Sequence, residues 1–151
     1  MTVRSRWSAV VIVLAVASSV AACGGGSPKS GSATKVPEVV PGSAWPGISV
    51  TTASASVEVP VDARRDLAPL LATRLLDRPA PRAEYGLDHP QATLTYRGAA
   101  GQTLDVDVGQ LNFDRHFVYV QRRGQSGVYL VAADTLRPVL ALVGIDLKPP
   151  E

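Results

Sequence analysis

Residues 92–110 read ATLTYRGAAGQTLDVDVGQ, and the alternation inside this stretch sets the expectation for the whole domain. Ala92, Leu94 and Tyr96 alternate with Thr93 and Thr95. After the loop GAAGQ, Leu104, Val106 and Val108 alternate with Asp105 and Asp107. A strict period of two with one apolar and one polar side marks strands that are buried on one face and wet on the other, as antiparallel sheets allow.

Moving outward, FVYVQRR (117–123) and GVYLVA (127–132) flank the turn GQSG and predict a second hairpin. Upstream, DLAPLLATRLLDRP (66–79) spaces Leu67, Leu70, Leu71 and Leu75 along one helical face. Asp66 stands where an N-cap belongs and Pro69 in the first turn, which predicts a helix over 66–76. Downstream, TLRPVLALVGI (135–145) repeats the pattern of cap, Leu, any residue, Pro, aliphatic, Leu. It predicts a second helix from Thr135 to the stop at Gly144. SVTTASASVEVPV (49–61) suggests one more strand at about 56–61, on an edge because of Pro60. The order strand, helix, four strands, helix predicts an α+β two-layer domain over 48–148. It is an antiparallel meander with both helices on its apolar face.

The N-terminal part has a different character. Arg4 and Arg6 precede an apolar run of nine residues, AVVIVLAVA (9–17), followed by small residues and Cys23, the single cysteine of the chain. The run is far shorter than the ~20 residues that span a bilayer. Residues 1–22 therefore read as a cleaved signal peptide. VAAC (20–23) resembles a bacterial lipobox, which implies a diacylglycerol on the Cys23 sulfur, cleavage before it, and attachment to the outer, extracytoplasmic face of the cell membrane. Palmitate labelling is the expected signature. Residues 23–47 are rich in Gly, Ser and Pro without strand or helix period and read as a flexible linker.

Composition narrows the function classes. Lys and Arg total 15 against 13 Asp and Glu, and the two surplus charges are Arg4 and Arg6 in the leader. A mature chain with balanced charge lacks the basic excess that nucleic-acid binding needs. One cysteine allows neither an intrachain disulfide nor a cysteine zinc site. No phosphate-binding glycine loop, nucleophile elbow or zinc-protease motif occurs, and no cofactor is called for.

Three features remain as candidates for chemistry. Asp105 and Asp107, at i and i+2 on one strand, place two carboxylates about 7 Å apart, a spacing compatible with acid–base work. Alternation alone also predicts polar residues there. His116, with His89 and Asp114, could complete a hydrolase or metal site only if the fold gathers them. Arg122 and Arg123 flank the GQSG turn and read as solvent-facing.

The loop RPAPRAEYGLDHP (78–90) carries a resemblance. Tyr85, Gly86, Leu87, Asp88 and Pro90, followed by Gly109 and by Val128–Val131, resemble a bacterial domain-of-unknown-function family. Its members begin with Tyr/Phe-Gly-Leu-Asp/Glu-x-Pro and run into a strand. The resemblance spans residues 58–143 and implies an extracytoplasmic α+β module. Some members repeat the module, and some stand beside ABC transporters of the gliding-motility type. It implies no catalytic residue. Gly86 and Pro90 read as conformational, Asp88 as bonding its own turn, and Tyr85 and Asp88 as candidate binding residues.

The expected function is a lipid-anchored binding or assembly module of the cell envelope, not an enzyme, with an envelope or transporter protein as candidate partner. The alternatives are a carrier holding an apolar ligand or lipid between sheet and helices, and a hydrolase or metal site at Asp105, Asp107 and His116.

Overall fold

A computed structural model describes residues 35–42 and 45–148. The segment read as a signal peptide, Cys23 and the stretch read as linker up to residue 34 lie outside the described residues.

The hairpin read from residues 92–110 is present as β6 (Ala92–Arg97) and β7 (Thr103–Leu111). Their register pairs Leu94 with Val106 and Tyr96 with Leu104 on one face, and Thr93 with Asp107 and Thr95 with Asp105 on the other. The next hairpin is β8 (Phe117–Arg122) and β9 (Val128–Ala132), which pairs Val118 with Val131 and Val120 with Tyr129. Upstream of β6 stand β2 (Gly47–Thr51) and β3 (Ser56–Glu58). β3 is the edge expected near Pro60, although it ends at Glu58.

The main correction concerns residues 66–76, which form no helix. Leu70–Leu71 is β4, paired with β1 (Glu38–Val40), and Arg74–Leu76 is β5, paired with β9. The sheet is seven-stranded and antiparallel, in the order β3-β2-β6-β7-β8-β9-β5, with β1-β4 as a separate two-stranded piece. The two-layer α+β arrangement with two helices on one face is thus replaced by a mostly-β fold with one α-helix among the described residues. The physical reason is visible in the burial of the segment. Leu70 and Ala72 are buried while Leu71 and Thr73 are exposed, a period of two. Backbone pairing offered by β1 and by the outer edge of β9 outweighs the modest helix preference of the leucines.

The second helix exists as α1 (Ala133–Ala141), two residues earlier than read. Thr135 therefore lies inside it and is not its cap, and Gly144 follows it at φ 78°. Ala133, Leu136, Val139 and Leu140 are its buried face. They belong to one buried cluster with Val50, Leu94, Val106, Val108, Val120 and Val131 of the sheet and Leu67, Leu70 and Ala72 of the 66–76 segment.

Part of the stretch read as linker also belongs to the fold. Val39 and Val40 of β1 are fully buried, and Trp45 packs edge-on against Tyr96 with ring centroids 5.8 Å apart.

Candidate functional site

The face of the sheet opposite the core holds the polar residues of β6 and β7. Asp107 pairs across the strands with Thr93 and Asp105 with Thr95, so both threonine hydroxyls are delivered to the carboxylates by register alone. Thr93 Oγ1 donates to Asp107 Oδ1 at 3.2 Å and Thr95 Oγ1 to Asp105 Oδ1 at 2.7 Å. Arg123, just past β8, reaches back over both. Its Nη1 donates to Asp105 Oδ2 at 2.9 Å and its Nη2 to Asp107 Oδ1 at 2.5 Å.

A strap formed by residues 79–91 closes over one end of this face. A 3-10 turn at Arg82–Tyr85 ends at Gly86, whose φ of 68° is a left-handed value that glycine adopts without a side-chain clash. Leu87 then plunges into the sheet with no exposed surface. The Tyr85 ring lies on Tyr119 at 4.7 Å, a contact worth about 1 kcal/mol beyond its buried area. Gln110 Nε2 donates to Glu84 O at 2.7 Å, and Gln91 N donates to Val108 O at 2.8 Å. Gly109 is forced by this approach, since a Cβ there would stand 2.2 Å from Tyr85 O. The motif residues Tyr85, Gly86, Leu87 and Gly109 are therefore one device that clamps the strap to the sheet.

Arg82 joins the strap to the carboxylates. Its Nη2 donates to Leu87 O at 2.6 Å and to Asp107 Oδ2 at 3.3 Å, and its Nε lies 3.7 Å from Asp88 Oδ1. Asp107 is the centre of the arrangement. Its side chain is only 4% exposed, while Arg82 and Arg123 are 45% and 53% exposed. A buried carboxylate is costly unless charge and hydrogen bonds compensate it. Here three donors do so, and the two guanidiniums keep their outer edges in water. The same bonds hold the Arg123 guanidinium above its ordinary pKa, chiefly through its hydrogen bond to Asp107 and against a smaller opposing effect of burial.

The structure thus joins two features that the sequence presented separately, the carboxylate pair and the Tyr-Gly-Leu-Asp loop. It also redefines their members. Tyr85 is packed, and its hydroxyl accepts a bond from Ala80 N at 2.9 Å. Asp88 is exposed and ion-paired with Arg82, where the sequence suggested a hydrogen bond within its own turn. Arg123, read as solvent-facing, bridges Asp105 and Asp107. For Arg123 the signal in the sequence is register: one step past the Val106–Arg122 pair it stands across from Asp105, and its N–H donates to Asp105 O at 2.9 Å. Arg82 comes from the strap, and no local pattern marks it.

His116 does not join them. Gln121 is the β8 partner of Asp107, and His116 lies five residues away, about 16 Å along the strand. Its backbone N–H donates to Asp114 Oδ1 at 3.0 Å, and its ring lies beside Phe117. His89 is exposed on the strap. Among the described residues, no group of three or more His, Cys, Asp or Glu side chains is arranged to hold a metal ion.

No curated protein and no solved structure matches the chain. The family model of DUF4340, a domain of unknown function, matches residues 62–141, more than half of the chain. That interval takes in the strap, all four strands from β6 to β9, both arginines of the polar face and α1. The chain belongs to the DUF4340 family.

Proposed function

We propose that this protein is a lipid-anchored binding or assembly module on the extracytoplasmic face of a bacterial envelope, and that it meets its partner with the strapped polar face. The observation that carries the reading is the fixed presentation of Arg82 and Arg123, with Asp88 exposed beside Arg82. The outer edges of the two arginines are exposed while their inner edges are held by the buried Asp107 carboxylate and, for Arg82, by Leu87 O of the strap. Pre-set polar groups on a rigid support are what recognition needs, because little ordering cost remains on binding. Lipid attachment at Cys23 supplies location, and an accessory role beside a transporter is what the family resemblance adds.

The packing favours this reading over a ligand carrier. Ile48, Val50, Leu94, Val106, Val120, Leu136 and Leu140 have no accessible surface, so no water-sized void touches them. A carrier would need a cavity of several hundred cubic ångströms between sheet and helix. The bonds already made by Asp105 and Asp107 likewise weigh against a hydrolase built on them.

The test uses the full chain in a bacterial host. Labelled palmitate should enter the wild type and not Cys23→Ala. A photo-crosslinking residue at Asp88 should then yield one discrete membrane or envelope protein adduct, weakened when Arg123 is also replaced by Ala. Unlabelled wild type would remove the anchor. Recovery of the domain always alone would remove the binding module.

A further inference from the structure

The loop between β7 and β8 holds the most exposed large apolar side chain among the described residues. Phe113 is 96% exposed, yet the turn that carries it is tightly built. Asn112, itself buried, donates its backbone N–H to Phe117 O at 2.8 Å and accepts Phe117 N–H on Oδ1 at 3.0 Å. Arg115 N donates to Asn112 O at 3.1 Å, and Asp114 Oδ1 caps the N–H of His116. Arg115 is in the left-handed region at φ 61°, the one non-glycine residue there among those described. Such a conformation persists only where its surroundings enforce it. The tip is thus a fixed turn that holds a phenyl ring in water.

Beside the ring lies an open depression of about 340 Å³, lined by Leu111, Asn112, Phe113, Arg115, Asp146 and Lys148. It presents two cations and one carboxylate next to an aromatic side chain. The fully buried centre of a protein interface is more apolar than the surface around it, whereas the ring's sequence neighbours Asn112, Asp114, Arg115 and His116 are all polar. A single exposed aromatic beside two cations, Arg115 and Lys148, and the carboxylate of Asp146, with Asp114 already engaged by His116 N–H, instead matches the boundary of a bilayer with zwitterionic headgroups. There the ring sits at the edge of the acyl region, the cations meet phosphate, and the carboxylate meets an ammonium headgroup.

We infer that this tip is a second membrane contact, in which Phe113 enters the phospholipid interface and Arg115, Lys148 and Asp146 hold a headgroup. The inference rests on the lipid-anchor reading for the nearness of the bilayer. From Cys23 to Lys35 the chain can span at most about 40 Å, which keeps the domain within reach of the surface. One exposed ring binds weakly by itself, but tethering makes the contact intramolecular and raises its effective concentration to the millimolar range.

The experiment places a photo-crosslinking phenylalanine analogue at Phe113 of the full chain in living bacteria, with the same analogue at Val61 as control. Val61 is 78% exposed and follows β3, about 19 Å from β8 across four strand spacings. After irradiation, intact mass reads the acyl group on Cys23 and any adduct separately. A phospholipid adduct at position 113, at least tenfold above position 61, is the expected result. An acylated chain with no adduct, or with a protein adduct at position 113, overturns the tip contact and leaves the anchor standing. A phospholipid adduct on an unacylated chain keeps the tip contact and removes the anchor. Absence of both removes both.

Discussion

The two faces of the seven-stranded sheet are held by different means. The core face is covered by α1, β4 and β1 through many apolar contacts, none of which depends on direction. Among the described residues the opposite face is covered at one end, by a strap fixed with a few directional bonds: Arg82 to Leu87 O, Gln110 to Glu84 O, and Arg82 to Asp107. Burial of apolar surface is spread over more than twenty side chains on the first face. On the second face it is nearly confined to Leu87, Val128 and the Tyr85–Tyr119 pair. A distributed interface fails globally, whereas a local one fails at a single residue. The fold can therefore keep its core while the strap is rearranged.

Substitutions on the two faces should separate these modes. The largest effect is expected from Leu94→Ala, which empties a fully buried site at the centre of the core face. It should cost about 3 kcal/mol in chemical denaturation and unfold the molecule as one unit. A cost below one third of that would show that the core is not shared as described. Asp107→Ala comes next. Its arginine partners are half exposed and can turn to water, so the global loss should be only about 1–2 kcal/mol. Amide exchange at Gly86 and Leu87 should nevertheless rise far more than exchange in β8. Equal increases in strap and core would erase the contrast.

The smallest effect is expected at Tyr96, on the core face. Burial pushes its phenol well above the ordinary value of 10, and no described protein group bonds to its hydroxyl. Tyr96→Phe should change stability by less than about 1 kcal/mol at neutral pH. The sign of its pH effect follows from linkage. The folded pKa is raised, so the contribution is complete below about pH 10, where the phenol is neutral in both states. It is lost as pH rises further and only the unfolded chain ionises. The wild type should lose stability above pH 10 faster than Tyr96→Phe. Parallel curves in thermal melts would contradict this burial.

How much of this was legible in the sequence depended on whether the deciding partner was local. The alternation in β6 and β7 needs only its own residues, whereas their register is seen in the structure. DLAPLL and TLRPVL show where local reading stops. Both carry the same cap-Leu-x-Pro-aliphatic-Leu pattern, yet one lies in α1 and the other contributes β4. TLRPVL follows β9 directly and lies down on the core. DLAPLL is captured by β1, about thirty residues upstream, while the residues after it are captured by β9, over fifty residues downstream. Neither partner is visible in a window of that length. The polar site was half legible for the same reason. Asp105 and Asp107 announce themselves by spacing, but Arg82 and Arg123 meet them only through the strap and a neighbouring strand.

β1 has a mechanical meaning beyond its place in the core. Any tension that arrives from the N-terminal side of the domain is delivered first to Glu38–Val40, whose strand partners are the two residues of β4. The seven-stranded sheet lies behind this short pairing. β1 and β4 therefore stand in series with the load, and under pulling they are positioned to peel away before the strands that carry the polar face are disturbed.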